Sequence, residues 1–87
     1  MMTVELKSVG VRARVFTVST LREASKVCRE FIAEHSLGNS TWQGGLVRVN
    51  GKRAYNVSYN GRVWVYSSKG WTPETTEVLR DDLDKRF

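Results

Sequence analysis

The 87-residue chain is predicted to be a single α+β domain with the element order ββαβββα. The expected form is an antiparallel sheet of four to five strands, one amphipathic helix packed on it, and a C-terminal helix. Three observations predict this. Asn50-Gly51 and Asn60-Gly61 lie ten residues apart between runs rich in Val, Tyr and Trp, and such dipeptides favour the positive φ angles of type I′ hairpin turns. Thr20-Leu21-Arg22-Glu23 has the Thr-x-x-Glu spacing of a capping box ahead of a periodic apolar stripe. Near the N-terminus, Val4, Leu6, Val11, Ala13 and Val15 alternate with polar neighbours, the period of a half-buried strand.

Taken in order, the first run is either two short strands joined at Gly10 or one long strand bulged there, and Arg12 and Arg14 share a face in both cases. A helix is expected from Thr20 to a left-handed stop at Gly38. At 100° per residue, Leu21, Ala24, Val27, Cys28, Phe31, Ile32 and His35 gather on the side that packs on the sheet; Arg22, Lys26, Arg29 and Ala33 line the other. Trp42 to Val49 begins the meander, weakened or bulged at Gly44-Gly45. If both Asn-Gly turns close two-residue loops, Val49 pairs with Lys52, Val47 with Ala54, Tyr59 with Arg62, Val57 with Trp64 and Tyr55 with Tyr66. One face then carries Leu46, Arg48, Arg53, Tyr55, Val57, Tyr59, Arg62, Trp64 and Tyr66. The other carries Val47, Val49, Lys52, Ala54, Asn56, Ser58, Val63 and Val65. Ser67 to Gly70 is a turn, and Trp71 starts a short strand or plugs the core. Thr72-Pro73-Glu74 reads as a second helix start, with Val78, Leu79, Leu83 and Phe87 as its narrow apolar stripe.

Composition bounds the function. A chain of this size supports one modest core. No apolar run approaches the roughly 20 residues of a membrane span, and Glu5 and Lys7 break any secretory leader, so a cytoplasmic location is expected; a single cysteine agrees with it. Net charge is +5. Met1 to Trp71 holds eleven Lys and Arg against four Glu, whereas Thr72 to Phe87 holds five acids against three bases. A basic body with an acidic tail suits a polyanionic partner.

Catalysis is not expected. Cys28 and His35 are seven residues apart on one helix, a rise of about 10 Å that keeps them from forming a dyad. One His and one Cys do not make a zinc site, and no phosphate-binding glycine fingerprint is present, so no metal or cofactor is expected. Two surfaces carry the binding expectation. Tyr55, Tyr59, Trp64 and Tyr66 among Arg48, Arg53 and Arg62 suit stacking on single-stranded nucleic acid if their face is open. By hydrophobicity, however, that face is the better core, with the arginines snorkelling at its rim. Arg22, Lys26 and Arg29 then offer a basic ridge outside the helix.

The order helix, three strands, helix over Thr20 to Phe87 resembles the double-stranded-RNA-binding domain, although Pro73-Glu74-Thr75-Thr76-Glu77 stands where that family has a lysine cluster. Three strands followed by a helix also resembles the sheet-in-groove DNA readers of plant transcription factors and some integrases. Over Val11 to Val65, the segments Ser19-Thr20-Leu21-Arg22-Glu23-Ala24, Gly45-Leu46-Val47-Arg48-Val49, Asn50-Gly51 and Gly61-Arg62-Val63-Trp64 resemble a small phage-borne anti-CRISPR family. That likeness implies a nonenzymatic inhibitor of phage or mobile-element origin acting by surface contact. The function expected is therefore a small nonenzymatic module, monomeric or homodimeric, that contacts nucleic acid or a nucleoprotein complex; the alternative is a protein-protein interaction module or inhibitor.

Overall fold

The computed structural model describes residues 1–38, 40–68, 75–78 and 82–84. Among these, five strands and one helix follow in the order β1 (Met2–Ser8), β2 (Val11–Val18), α1 (Leu21–Glu34), β3 (Trp42–Val49), β4 (Lys52–Val57) and β5 (Val63–Val65). The strands form one antiparallel sheet in the order β2-β1-β3-β4-β5. The chain makes the β1-β2 hairpin, crosses one face as α1, and returns as β3 on the far side of β1.

Gly10 resolves as the hairpin turn, with φ of +78° and Ser8 paired to Val11. Thr20 caps α1 as expected: its Oγ1 accepts from the Glu23 backbone N–H at 3.1 Å, and Glu23 reaches back to the Ser19 N–H. The helix stops earlier than Gly38. Ser36 takes φ of +52°, the Ser36 N–H donates to Ala33 O, and the Leu37 N–H donates to Ile32 O. These two bonds make a Schellman motif, which satisfies the last carbonyls with a serine in the left-handed position usually held by glycine.

Leu21, Ala24, Cys28, Phe31 and Ile32 are buried against Met2, Val4, Leu6, Val47, Val57 and Val63. Gly45 lets the helix come close, because a Cβ there would lie inside contact distance of Cys28 Sγ. Two members of the expected stripe depart from it: Val27 is half-buried, and His35 is exposed with its ring 4.6 Å from that of Phe31. Ser25 is buried in their place and donates its hydroxyl proton to Gly61 O at 2.7 Å.

Among the described residues the C-terminal helix is not seen. Thr75 to Val78 runs beside β5, where the Val65 N–H donates to Thr76 O and the Val78 N–H to Val63 O, both at 2.8 Å. A short edge strand leaves unpaired backbone groups, and two threonines and a valine are better suited to a ladder than to a helix. Further on, Leu83 is buried and its carbonyl accepts from the Arg22 N–H, one of the unsatisfied donors of the first helical turn. The expected start at Thr72-Pro73-Glu74, and Trp71, Leu79 and Phe87, lie outside the described residues.

Candidate functional site

Two one-residue irregularities decide which side chains share a face. The first turn forms as read, with Asn50 at φ +52°, Gly51 at +83° and Val49 opposite Lys52. Beyond it the register shifts: Arg48 faces Arg53, but Val47 faces Tyr55 rather than Ala54. Ala54 is the extra residue of a β-bulge. The second turn is not a two-residue loop. The Ser58 N–H bonds to Arg62 O, the Gly61 N–H bonds to Ser58 O, and only Gly61 has positive φ, +84°. This is a three-residue loop in which glycine takes the left-handed place before the next strand. Val57 therefore pairs with Val63, Asn56 with Trp64 and Tyr55 with Val65, replacing the expected pairs of Val57 with Trp64 and Tyr55 with Tyr66.

The expected aromatic face is thereby divided. Tyr55 joins Val57, Val47 and Val49 on the side covered by α1, and it packs against the core. Tyr59 sits on the β4-β5 loop and is exposed. Trp64 falls on the opposite face with Leu46 and Asn56, its cross-strand neighbours. Tyr66 follows it there, because side chains alternate along a strand and the Arg53 Nη1 donates to the Tyr66 hydroxyl at 3.1 Å. The Arg53 guanidinium also lies 5.8 Å from the Tyr66 ring centre, within cation-π range. Arg48 stands next to Arg53 across the hairpin and reaches Glu5 on β1 at 3.4 Å. The face away from the helix thus brings together two arginines and two large aromatic rings. A groove of about 490 Å³ opens beside Trp64, walled by Gln43, Gly44, Asn56, Tyr59 and Ser67. Gln43 and Asn56 were not among the expected site residues. Gln43 is placed by a bulge at Gly44, where β3 has one residue more than β1 and φ reaches +116°.

The helix ridge is less free than its spacing implied. Arg22 Nε meets Asp84 Oδ1 at 2.6 Å, and Lys26 lies 3.9 Å from Glu30 one turn on. Arg29 lies against Gly61, whose missing side chain leaves room for the arginine stem. Arg62 faces Glu77 at 3.6 Å. Of the cations expected to bind, Arg53 lies over the Tyr66 ring, Arg48 stands next to Arg53 on the same face, and Arg62 lines the groove with Tyr59 and Trp64.

Burial raises the Cys28 thiol to about 12, so the sulfur stays protonated and unreactive at neutral pH. Among the described residues, no group of three His, Cys, Asp or Glu side chains is placed to hold a metal ion, and no helix is long and apolar enough to cross a membrane. No family model, curated protein or solved structure matches the chain.

Proposed function

We propose that this protein is a nonenzymatic binding module that contacts nucleic acid, free or within a nucleoprotein complex, through the sheet face turned away from α1. The observation that carries this reading is the convergence of Arg48 and Arg53 with Trp64 and Tyr66 on that face. Successive same-face residues on a strand are about 7 Å apart, so the two rings offer two neighbouring platforms for unstacked bases. Base-aromatic stacking is worth roughly 1–3 kcal/mol per base, and the arginines supply the charge that follows the phosphates. Single strands are favoured over duplex, whose bases are already stacked. Glu5 holds Arg48 over the sheet in the free protein, and an incoming phosphate takes over that partner's place.

The test is a titration of labelled single-stranded and duplex oligonucleotides at several salt concentrations, followed by anisotropy and tryptophan fluorescence. Saturable single-strand binding with tryptophan quenching is expected. Arg48→Ala with Arg53→Ala should weaken it and lower the salt slope by about 1.4, since each phosphate contact on a single strand contributes about 0.7. Absence of binding at low salt, or a double variant with unchanged affinity and slope, overturns the proposal.

A further inference from the structure

The sheet treats its two edges differently. On the β5 side, residues 75–78 cover the edge with backbone hydrogen bonds. On the β2 side, an eight-residue strand ends the sheet, and no segment among the described residues pairs with its outer edge. Arg12 to Thr17 are all exposed, including Val15 at 60% and Phe16 at 38%. Natural edge strands are usually blunted by proline, short length, a bulge or charged side chains; β2 has no proline and runs eight residues, and its charges are Arg12 and Arg14. Here the irregularity lies at the turn end, where β2 has one residue more than β1 at Arg12-Ala13, so that Arg12 and Arg14 fall on opposite faces and not on one as expected, and the pairing from Leu6↔Arg14 to Met2↔Val18 is regular. Five consecutive residues therefore present a straight, extended edge.

We propose that this edge docks an extended acidic segment of a partner protein, which adds to the sheet as a sixth strand. Charge selects the occupant. Arg12 and Arg14 have no ion-pair partner among the described residues, whereas Arg22, Lys26, Arg48 and Arg62 each face a carboxylate. An incoming antiparallel strand meets Phe16 and Val15 first, then Arg14 on the helix side of the sheet and Arg12 on the other, so it fits with apolar side chains followed by a run of acids that covers both faces. A second copy of this chain paired about Ala13 would instead set Arg12 against Arg14 twice over, and like charges across a ladder are unfavourable. Main-chain bonds supply the adhesion, and side-chain complementarity supplies the choice. This inference does not rest on the nucleic-acid face, because it uses the outer backbone groups of β2, at the opposite edge of the sheet from Trp64 on β5.

The test uses the full chain, labelled with 15N, and a capped peptide of sequence Thr-Val-Val-Glu-Glu-Glu-Thr. Slowed exchange of alternate β2 amides is expected, lost when the peptide backbone is N-methylated, with affinity reduced about tenfold by Arg12→Glu with Arg14→Glu. Both arginines are exposed, so the variant keeps the wild-type amide spectrum elsewhere. Unprotected β2 amides at millimolar peptide overturn the proposal, as does equal binding of a peptide with Lys in place of Glu. Protection that appears without peptide and scales with protein concentration overturns it in favour of self-pairing. Protection of the same amides by an oligonucleotide overturns it in favour of a nucleic-acid edge.

Discussion

Replacing Gly45 with alanine should destabilise the fold by about 1–2 kcal/mol, and shortening Cys28 should rescue it. Gly45 is buried on β3 beneath α1, and its φ is not in the positive region, so alanine is acceptable to the backbone. The cost is steric. The added methyl would press into Cys28 Sγ and come within 3.3 Å of Val57 Cβ and 3.5 Å of Val4 Cγ2. The Val4 contact is ordinary; the sulfur must move, and with it either the rotamer of Cys28 or the axis of α1. Overpacking of this kind costs about 1–3 kcal/mol, and the lost chain entropy of glycine returns about 0.4–1 kcal/mol. Cys28→Ala alone leaves a void worth about 1 kcal/mol. In the double variant the new methyl occupies the space the sulfur vacated, so its stability should lie within about 1 kcal/mol of wild type, a favourable coupling of about 1–2 kcal/mol. Urea unfolding followed by the fluorescence of buried Trp42 measures all four corners of the cycle. Additive losses would refute the close approach of helix and sheet at this point.

The remaining predictions follow from single groups. Ser36→Gly should raise stability by about 0.5–1 kcal/mol, the relief of a left-handed serine less the entropy of glycine, and a thermal melt a few degrees higher checks it. Cys28 has its folded value raised by burial from 9.0 to about 12. Its contribution is therefore full below pH 9 and is lost as pH rises towards 12, by up to about 1.4 kcal/mol per pH unit. The stability difference between wild type and Cys28→Ala, measured in urea at pH 8 and pH 10.5, should change sign, from wild type ahead by about 1 kcal/mol to the variant ahead by about as much, and the thiol should resist alkylation until the protein unfolds.

The elements were legible where a local signal coincided with the local need. Thr20 caps α1 because its side chain and Glu23 satisfy the first amides, and Asn50-Gly51 closes its turn because both residues accept positive φ. Gly10 and Gly44 marked a turn and a bulge for the same reason. The helix ends two residues ahead of Gly38, and nothing about Ser36 distinguishes it from its neighbours until Leu37 folds back to Ile32. The second helix was read from Thr72-Pro73-Glu74, but at Thr75 to Val78 the unpaired edge of β5 outweighed the local signal. A preference of a few tenths of a kcal/mol per residue is overridden by a ladder that pairs the Val65 N–H and the Val63 carbonyl of the edge strand.

The candidate site depended on what was least legible. Ala54 bears no mark of a bulge, and Asn60-Gly61 looks the same whether it closes a two-residue or a three-residue loop. Each irregularity inserts one residue, and in a sheet one residue reverses every side chain beyond it. Together they let Val47, Tyr55, Val57 and Val63 share the buried face although strict two-residue turns would have separated them. The same shift turns Tyr55 and Val57 away from Trp64 and Tyr66, which stay on the face of Arg48 and Arg53 while the helix covers the other. A regular meander would have hidden Trp64 and Tyr66 in the core with Tyr55 and left polar Asn56 and Ser58 opposite; with both irregularities, apolar burial and an aromatic, basic outer face are satisfied by the same strands. Packing thus explains the register without reference to any ligand, and the placement of two rings and two arginines on the open face is its consequence.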